Sequence, residues 1–127
     1  MGEIRTLIVD DSSVMRKIIE RSLRQAGLEE MIVVEAGNGN EGLEVLRSRK
    51  VDLILSDINM PLMDGLEFLR RLRGESLAPN VPVVMITTES SEEHVKEAIL
   101  SGAQGYIRKP FTPDQVKERV LPLLKIA

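Results

Sequence analysis

The stretch Leu7-Ile8-Val9-Asp10-Asp11-Ser12-Ser13 decides the fold. An unbroken apolar run of this length suits a strand buried on both faces, and such strands belong to parallel sheets covered by helices on each side. The run stops at two acids, and two hydroxyl residues follow as candidate N-caps of a helix. That helix reads Met15, Ile18, Ile19, Ser22, Leu23 and Ala26 on its inward face, at three- and four-residue spacing, with Gly27 as its stop.

The same alternation runs through the rest of the chain. Met31 to Val34 reads as a second strand, and Gly37-Asn38-Gly39-Asn40 as a turn cluster before a helix carrying Leu43, Val45 and Leu46. Leu53-Ile54-Leu55 is a third strand ending at Ser56-Asp57, followed by a loop from Pro61 to Gly65 and a helix with Leu66, Leu69 and Leu72. A fourth strand spans Val81 to Ile86, with Pro82 near its start, where a missing N–H does little harm. Ser90 and Glu93 have the form of a capping box for a helix with Val95, Ala98 and Ile99 inward. Gly105 to Arg108 is a short fifth strand ending at Lys109-Pro110. Thr112, Pro113 and Gln115 open a last helix with Val116, Val120, Leu123 and Leu124 inward and Pro122 near its end. Five strands alternating with five helices predict an α/β fold with a parallel sheet.

Composition narrows the chemistry. At 127 residues the chain is expected to be one domain, residues 1–127, with no room for a second. There is no Cys and one His, His94, so zinc–thiolate sites, thiol nucleophiles and multi-His metal sites are excluded. A net charge of −3 and three aromatic residues, Phe68, Tyr106 and Phe111, argue against nucleic-acid binding. No run approaches the roughly 20 apolar residues of a membrane span, and no signal peptide is visible, so a cytoplasmic protein is expected.

Ligands of open parallel sheets bind at the carboxyl ends of the strands. Those ends carry Asp10 and Asp11, then Asp57, then Thr87, then Lys109; the second strand ends in Glu35-Ala36 and supplies nothing of this type. Taken singly, each residue has an ordinary role as a cap, a turn acid, a strand-end hydroxyl or a solvated lysine. Their placement at four strand ends is what such roles do not explain. Three carboxylates in one site repel unless protonated or neutralised by a cation. With acid oxygens and neither Cys nor clustered His, that cation is Mg²⁺ or Mn²⁺ rather than zinc. A carboxylate beside such an ion is a nucleophile toward phosphorus, and Thr87 and Lys109 suit the stabilisation of phosphoryl oxygens.

LIVDDS at Leu7 to Ser12, SDINMPLMDG at Ser56 to Gly65, VMITTE at Val84 to Glu89 and GYIRKPF at Gly105 to Phe111 resemble, in order and spacing, the receiver domain of bacterial response regulators. The resemblance covers essentially the whole chain. It implies a flavodoxin-like, doubly wound five-stranded sheet of order 2-1-3-4-5, the order for which CheY is a standard example. It also implies Asp57 as phosphoacceptor, and Mg²⁺ held by Asp11, Asp57 and the Asn59 carbonyl, with Asp10 acting through water. Thr87 and Lys109 contact the phosphoryl group, Gly65 permits the tight loop, and Lys109-Pro110 matches a cis peptide. Asn59 and Glu89 occupy the positions that tune phosphoryl lifetime, and Tyr106 the aromatic switch position.

Among receivers the chain looks most like the stand-alone CheY type. It differs at Thr88, where those proteins often carry Ala. The resemblance implies a CheA-like histidine kinase as donor and a phosphatase partner. It implies an output face on the fourth helix, fifth strand and last helix for the flagellar motor switch or another protein. The protein is then a signalling protein rather than an enzyme, catalysing only its own phosphorylation and dephosphorylation. Two rivals share its chemistry: a phosphorelay intermediate or regulator of a non-motility partner, and, more remotely, a Mg²⁺-dependent phosphatase with Asp57 as nucleophile.

Overall fold

The computed structural model describes residues 3–88 and 92–124, with only the backbone of Glu92. The chain runs β1 (Arg5–Val9), α1 (Ser13–Gln25), β2 (Ile32–Ala36), α2 (Gly39–Ser48), β3 (Leu53–Asp57), α3 (Gly65–Gly74), β4 (Val83–Thr87), α4 (Glu92–Leu100), β5 (Gly105–Arg108) and α5 (Pro113–Leu124). The strands form one parallel sheet in the order β2-β1-β3-β4-β5. This is the doubly wound α/β fold expected from the alternation, with the implied strand order.

The two-residue period of the strands sorts the core into two layers. Leu7, Val9, Ile54, Val83 and Met85 face one side, where they meet Leu43, Phe68, Leu69, Leu72 and Ala98 of α2, α3 and α4. Ile8, Leu53, Leu55, Val84, Ile86 and Ile107 face the other, against Ile19, Leu23, Val116 and Val120 of α1 and α5. β1, β3 and β4 are buried on both faces almost throughout, which is why they read as unbroken apolar runs.

Helix starts follow local capping chemistry. The Ser12 hydroxyl accepts from the Met15 N–H at 3.2 Å, so Ser12 rather than Ser13 is the cap of α1. Asn38 caps α2 through the Glu41 N–H, and the Glu41 carboxylate reaches back to the Gly37 N–H. The expected turn cluster is therefore half helix, because this reciprocal box starts α2 at Gly39. Asp64 caps α3. The box of α5 is present in full: Gln115 N–H to Thr112 Oγ1 and Thr112 N–H to Gln115 Oε1. Pro122 stands inside α5, which continues to Leu124 because a proline so near the end removes a single bond. The box expected at Ser90 lies outside the described residues.

Four expectations need correction. β2 spans Ile32–Ala36 and β4 Val83–Thr87, each displaced toward its carboxyl end, because the pairing register with β1 and β3 sets the ladder. Ile18 and Ile99 are exposed, at 45% and 57%. Each sits on the flank of its apolar stripe; the buried part of the first stripe is Ile19, Ser22, Leu23 and Ala26, with Met15 packed against the same core, and that of α4 is Ala98.

Among the described residues, β1 holds a buried polar atom without a hydrogen-bond partner. Thr6 in β1 is fully buried, and its hydroxyl makes no hydrogen bond. Thr6→Val keeps the shape and removes that cost, so unfolding should become harder by about 1 kcal/mol, raising the melting temperature by roughly 4 °C. Calorimetry on the two proteins measures it; a lower melting temperature in the variant would contradict the burial.

Candidate functional site

The carboxyl ends of β1, β3, β4 and β5 lie side by side, because parallel strands without large offsets finish at one edge. β1 delivers Asp10 and Asp11 in the turn to α1, β3 ends on Asp57, β4 on Thr87, and β5 leads into Lys109. Carboxylate oxygens of Asp10, Asp11 and Asp57 lie within 4.8 Å of one another. Asp10 and Asp57 are buried, at 1% and 7%, while Asp11 is exposed. The cluster thus has two closed sides and one open to solvent.

Lys109 is the cation among them. Its Nζ is 3.2 Å from Asp10 Oδ2 and 3.5 Å from Asp57 Oδ2. Its backbone N–H donates to the Thr87 carbonyl at 2.8 Å, fastening the end of β5 to the end of β4, and the Lys109-Pro110 peptide is cis. Three carboxylates against one ammonium leave two negative charges uncompensated if all are ionised. Burial pushes the Asp57 carboxyl above its ordinary range; Lys109 opposes that, Asp10 adds to it, and the N–H groups of Asn59 and Ile58 oppose it. The Asn59 N–H lies 3.3 Å from Asp57 Oδ1. An oxygen-only donor set with a double negative excess fits a hard divalent cation.

Gly65 closes the loop behind Asp57. Its N–H donates to the Ile58 carbonyl at 2.7 Å. A Cβ there would stand 2.0 Å from the Asp57 carbonyl oxygen and 2.8 Å from Ile58 Cα. The loop needs glycine for close approach, not for a left-handed backbone. The left-handed residue of this loop is Leu62, at φ 70, whose side chain is 83% exposed.

Thr87 is fully buried. By the strand period it follows Val83 and Met85 onto the α2–α4 face, the face against which Tyr106 packs from β5. Met85 pairs with Tyr106 in the ladder, so Thr87 and Tyr106 are diagonal neighbours. Tyr106 is half-buried, and its hydroxyl is shielded from water rather than at the surface. Asn59 and Thr88 are exposed beside the site, and Glu89 lies outside the described residues.

Sequence reasoning passed over the end of β2. The parallel register sets Glu35 beside Ile8, and there it pairs with Arg16 of α1 at 2.9 Å and with Lys17 at 3.1 Å. The Arg16 hydrogen bond is the main reason the Glu35 carboxyl titrates below its usual range. Arg16 also donates to the Asp10 carbonyl at 2.6 Å. Only the register of β2 on β1 brings these residues together, and no spacing in the chain announces it.

The chain matches the response regulator receiver domain over residues 6–121. It is 38% identical to a chemotaxis protein CheY homolog of Campylobacter jejuni over 122 residues, 95% of this chain and 92% of that protein. It is 40% identical to chemotaxis protein CheY1 of Helicobacter pylori over 118 residues, 92% and 94% of the two chains. The structure of Vibrio cholerae chemotaxis protein CheY4 superposes with a TM-score of 0.82 at 36% identity, covering 92% of this chain and 95% of that one. The receiver domain of the Mycobacterium tuberculosis response regulator NarL gives 0.86 at 28% identity, with full coverage of both. With its strand order, its edge of acids and this match along most of its length, the chain belongs to the response regulator receiver domain family.

Proposed function

We propose that the chain acts as a receiver domain, residues 1–127, that takes a phosphoryl group onto Asp57 and signals through a protein partner, in chemotaxis. The observation that carries this reading is the meeting of three carboxylates and Lys109 at one strand edge. Asp10, Asp11, Asp57 and the Asn59 carbonyl are the residues to hold Mg²⁺, or Mn²⁺, which supplies neutralising charge for an incoming phosphoryl group. An Asp57 carboxylate oxygen attacks phosphorus, an O–P bond forms, and the donor's P–N bond breaks with its electron pair going to the imidazole of a histidine kinase. Water later cleaves the acyl phosphate, returning the carboxylate and inorganic phosphate. Lys109 pairs with a phosphoryl oxygen in place of Asp57, and Thr87 donates its hydroxyl to another. Asn59, exposed beside the site, tunes the phosphoryl lifetime, the role the family resemblance implies for it and for Glu89. The protein is then a substrate of its kinase and a signal, not a turnover enzyme, and it works in the cytoplasm. Among the described residues no helix is long and apolar enough to cross a membrane.

Output falls to the face of α4, β5 and α5. β5 is an edge strand, and a cleft of about 550 Å³ beside it is lined by Tyr106, Arg108, Lys109, Gln115 and Arg119 among others. On α4, Ile99 and Leu100 are exposed. A phosphoryl group drawing Thr87 toward it changes the packing beside Tyr106, and one charge-assisted hydrogen bond, at about 1.5–3 kcal/mol, is enough for a tenfold population shift. The partner is the flagellar motor switch, in keeping with the chemotaxis relatives. A second output, a phosphorelay or non-motility partner, stays open because a receiver fold does not by itself fix the partner it signals through.

Adding beryllofluoride, a phosphoryl mimic, with Mg²⁺ should shift the Tyr106 ring resonances, and EDTA should reverse the change. A response that persists in EDTA, or a silent Tyr106, would contradict the switch. Capture on the beryllofluoride form, with motor-switch and phosphotransfer proteins offered together, separates the two outputs.

A further inference from the structure

We propose that Arg16 and Glu35 form a positioning pair that sets the cation affinity of the acidic cluster, an inference that rests on reading that cluster as a cation site. The Asp10 carbonyl belongs to the peptide unit that joins Asp10 to Asp11. That unit is planar, so holding its oxygen constrains the directions in which the two acids leave the turn. Arg16 Nη1 holds it at 2.6 Å, while Nε of the same guanidinium is anchored 2.9 Å from Glu35 Oε1. The rest of Asp10 is held as well: its N–H donates to the Ala36 carbonyl at 3.1 Å, and its carboxylate accepts from the Ser12 N–H at 2.9 Å and from Lys109 at 3.2 Å. Asp11 has no place in the sheet ladder, since β1 ends at Val9. Mutual repulsion of the acids favours a turn that splays them apart, and the Arg16 fork opposes that splaying. A bare guanidinium so close would itself repel a cation. Glu35, which Arg16 shares with Lys17, offsets part of that charge, which gives an acid at the end of β2 a role although it lies outside the carboxylate cluster.

The proposal makes a prediction opposite in sign to simple charge. Removing a positive charge near a cation site should tighten binding on electrostatic grounds alone, whereas loss of the clamp loosens it. Mg²⁺ titration by calorimetry, in the absence of phosphodonor, is expected to show Arg16→Ala binding about tenfold more weakly than wild type, the lower end of what partners of metal ligands contribute. Arg16→Lys keeps the charge but loses the fork, and should recover little of the affinity. Glu35→Gln should also weaken binding, as loss of a negative charge alone would, so Arg16→Lys carries the test alone if Arg16→Ala does not fold. Arg24→Ala, on the same helix, removes the ion pair to Glu20 and a bond to the Glu29 carbonyl away from the site. It should lower the melting temperature and leave Mg²⁺ affinity unchanged. Wild-type affinity or tighter binding in folded Arg16→Ala overturns the proposal, as does a loss in Arg24→Ala equal to that in Arg16→Ala. A wild-type chain that binds no Mg²⁺ overturns the reading of the cluster, and the clamp with it, so the two failures are told apart.

Discussion

Asp57→Asn should bring labelling by acetyl phosphate and Mg²⁺ down to background. The substitution is nearly isosteric, so β3 and the loop behind it stay in place, but an amide is no nucleophile toward phosphorus. Neither of the other two carboxylates should replace it. Asp10 is buried and engaged by the Ser12 N–H and Lys109, and Asp11 stands in the turn on the opening of the site. The same variant has a second, thermodynamic signature. Burial raises the Asp57 carboxyl above its ordinary range, so in metal-free protein the folded state binds its proton more readily than the unfolded chain. The stability tied to that proton is fully present below the unfolded carboxyl range, about pH 3.9, and is lost as pH rises through the higher folded value. Metal-free Asp57→Asn should therefore melt above wild type at neutral pH, and the gap should close as pH falls into the carboxyl range. Mg²⁺ should reverse the order by stabilising wild type more than the variant. Melting curves at several pH values, with and without Mg²⁺, test each part; a variant less stable than metal-free wild type at neutral pH would contradict the charge balance.

Gly65→Ala should cost about 3 kcal/mol or more, lowering the melting temperature by on the order of 10 °C. The added carbon meets backbone, the Asp57 carbonyl oxygen and Ile58 Cα, and backbone cannot turn aside as the end of a side chain does. Relief requires opening the turn, which breaks the Gly65 N–H bond to the Ile58 carbonyl and moves the peptide that carries Asp57. Any folded fraction should accept phosphoryl groups poorly. Gly74, at the other end of the same helix, has nothing within 4 Å of its would-be Cβ. Gly74→Ala should be neutral or stabilising, by up to about 1 kcal/mol. Urea unfolding of the two variants compares one chemical change in two settings, and equal responses would contradict the close-approach argument.

The contrast between these glycines shows which features the sequence carries openly. Apolar runs stopped by Asp10, Asp57 and Thr87 mark strands buried on both faces, and caps such as Thr112 with Gln115 mark helix starts, because both depend on neighbours in the chain. Parallel strands then put those stops at one edge without further information. What needs three dimensions stayed hidden. Ile18 and Ile99 fit the helical period yet face water, since the width of a buried stripe depends on what packs against it. Gly65 announces a turn, but the reason for it, an approach to the Asp57 carbonyl, appears only in the fold. Leu62 in the left-handed region has no signal at all in a leucine. The meeting of Arg16 with Glu35 depends on β2 lying beside β1, which periodicity alone does not determine.

The central claim is that Asp57 receives the phosphoryl group in a cation-dependent site. Its most direct test is to phosphorylate the full chain with acetyl phosphate and Mg²⁺, reduce the acyl phosphate with borohydride, and map the modified residue by peptide mass spectrometry. The account predicts homoserine at position 57, in Mg²⁺ and not in EDTA. Reduction at Asp10 or Asp11, or equal modification in EDTA, would contradict it.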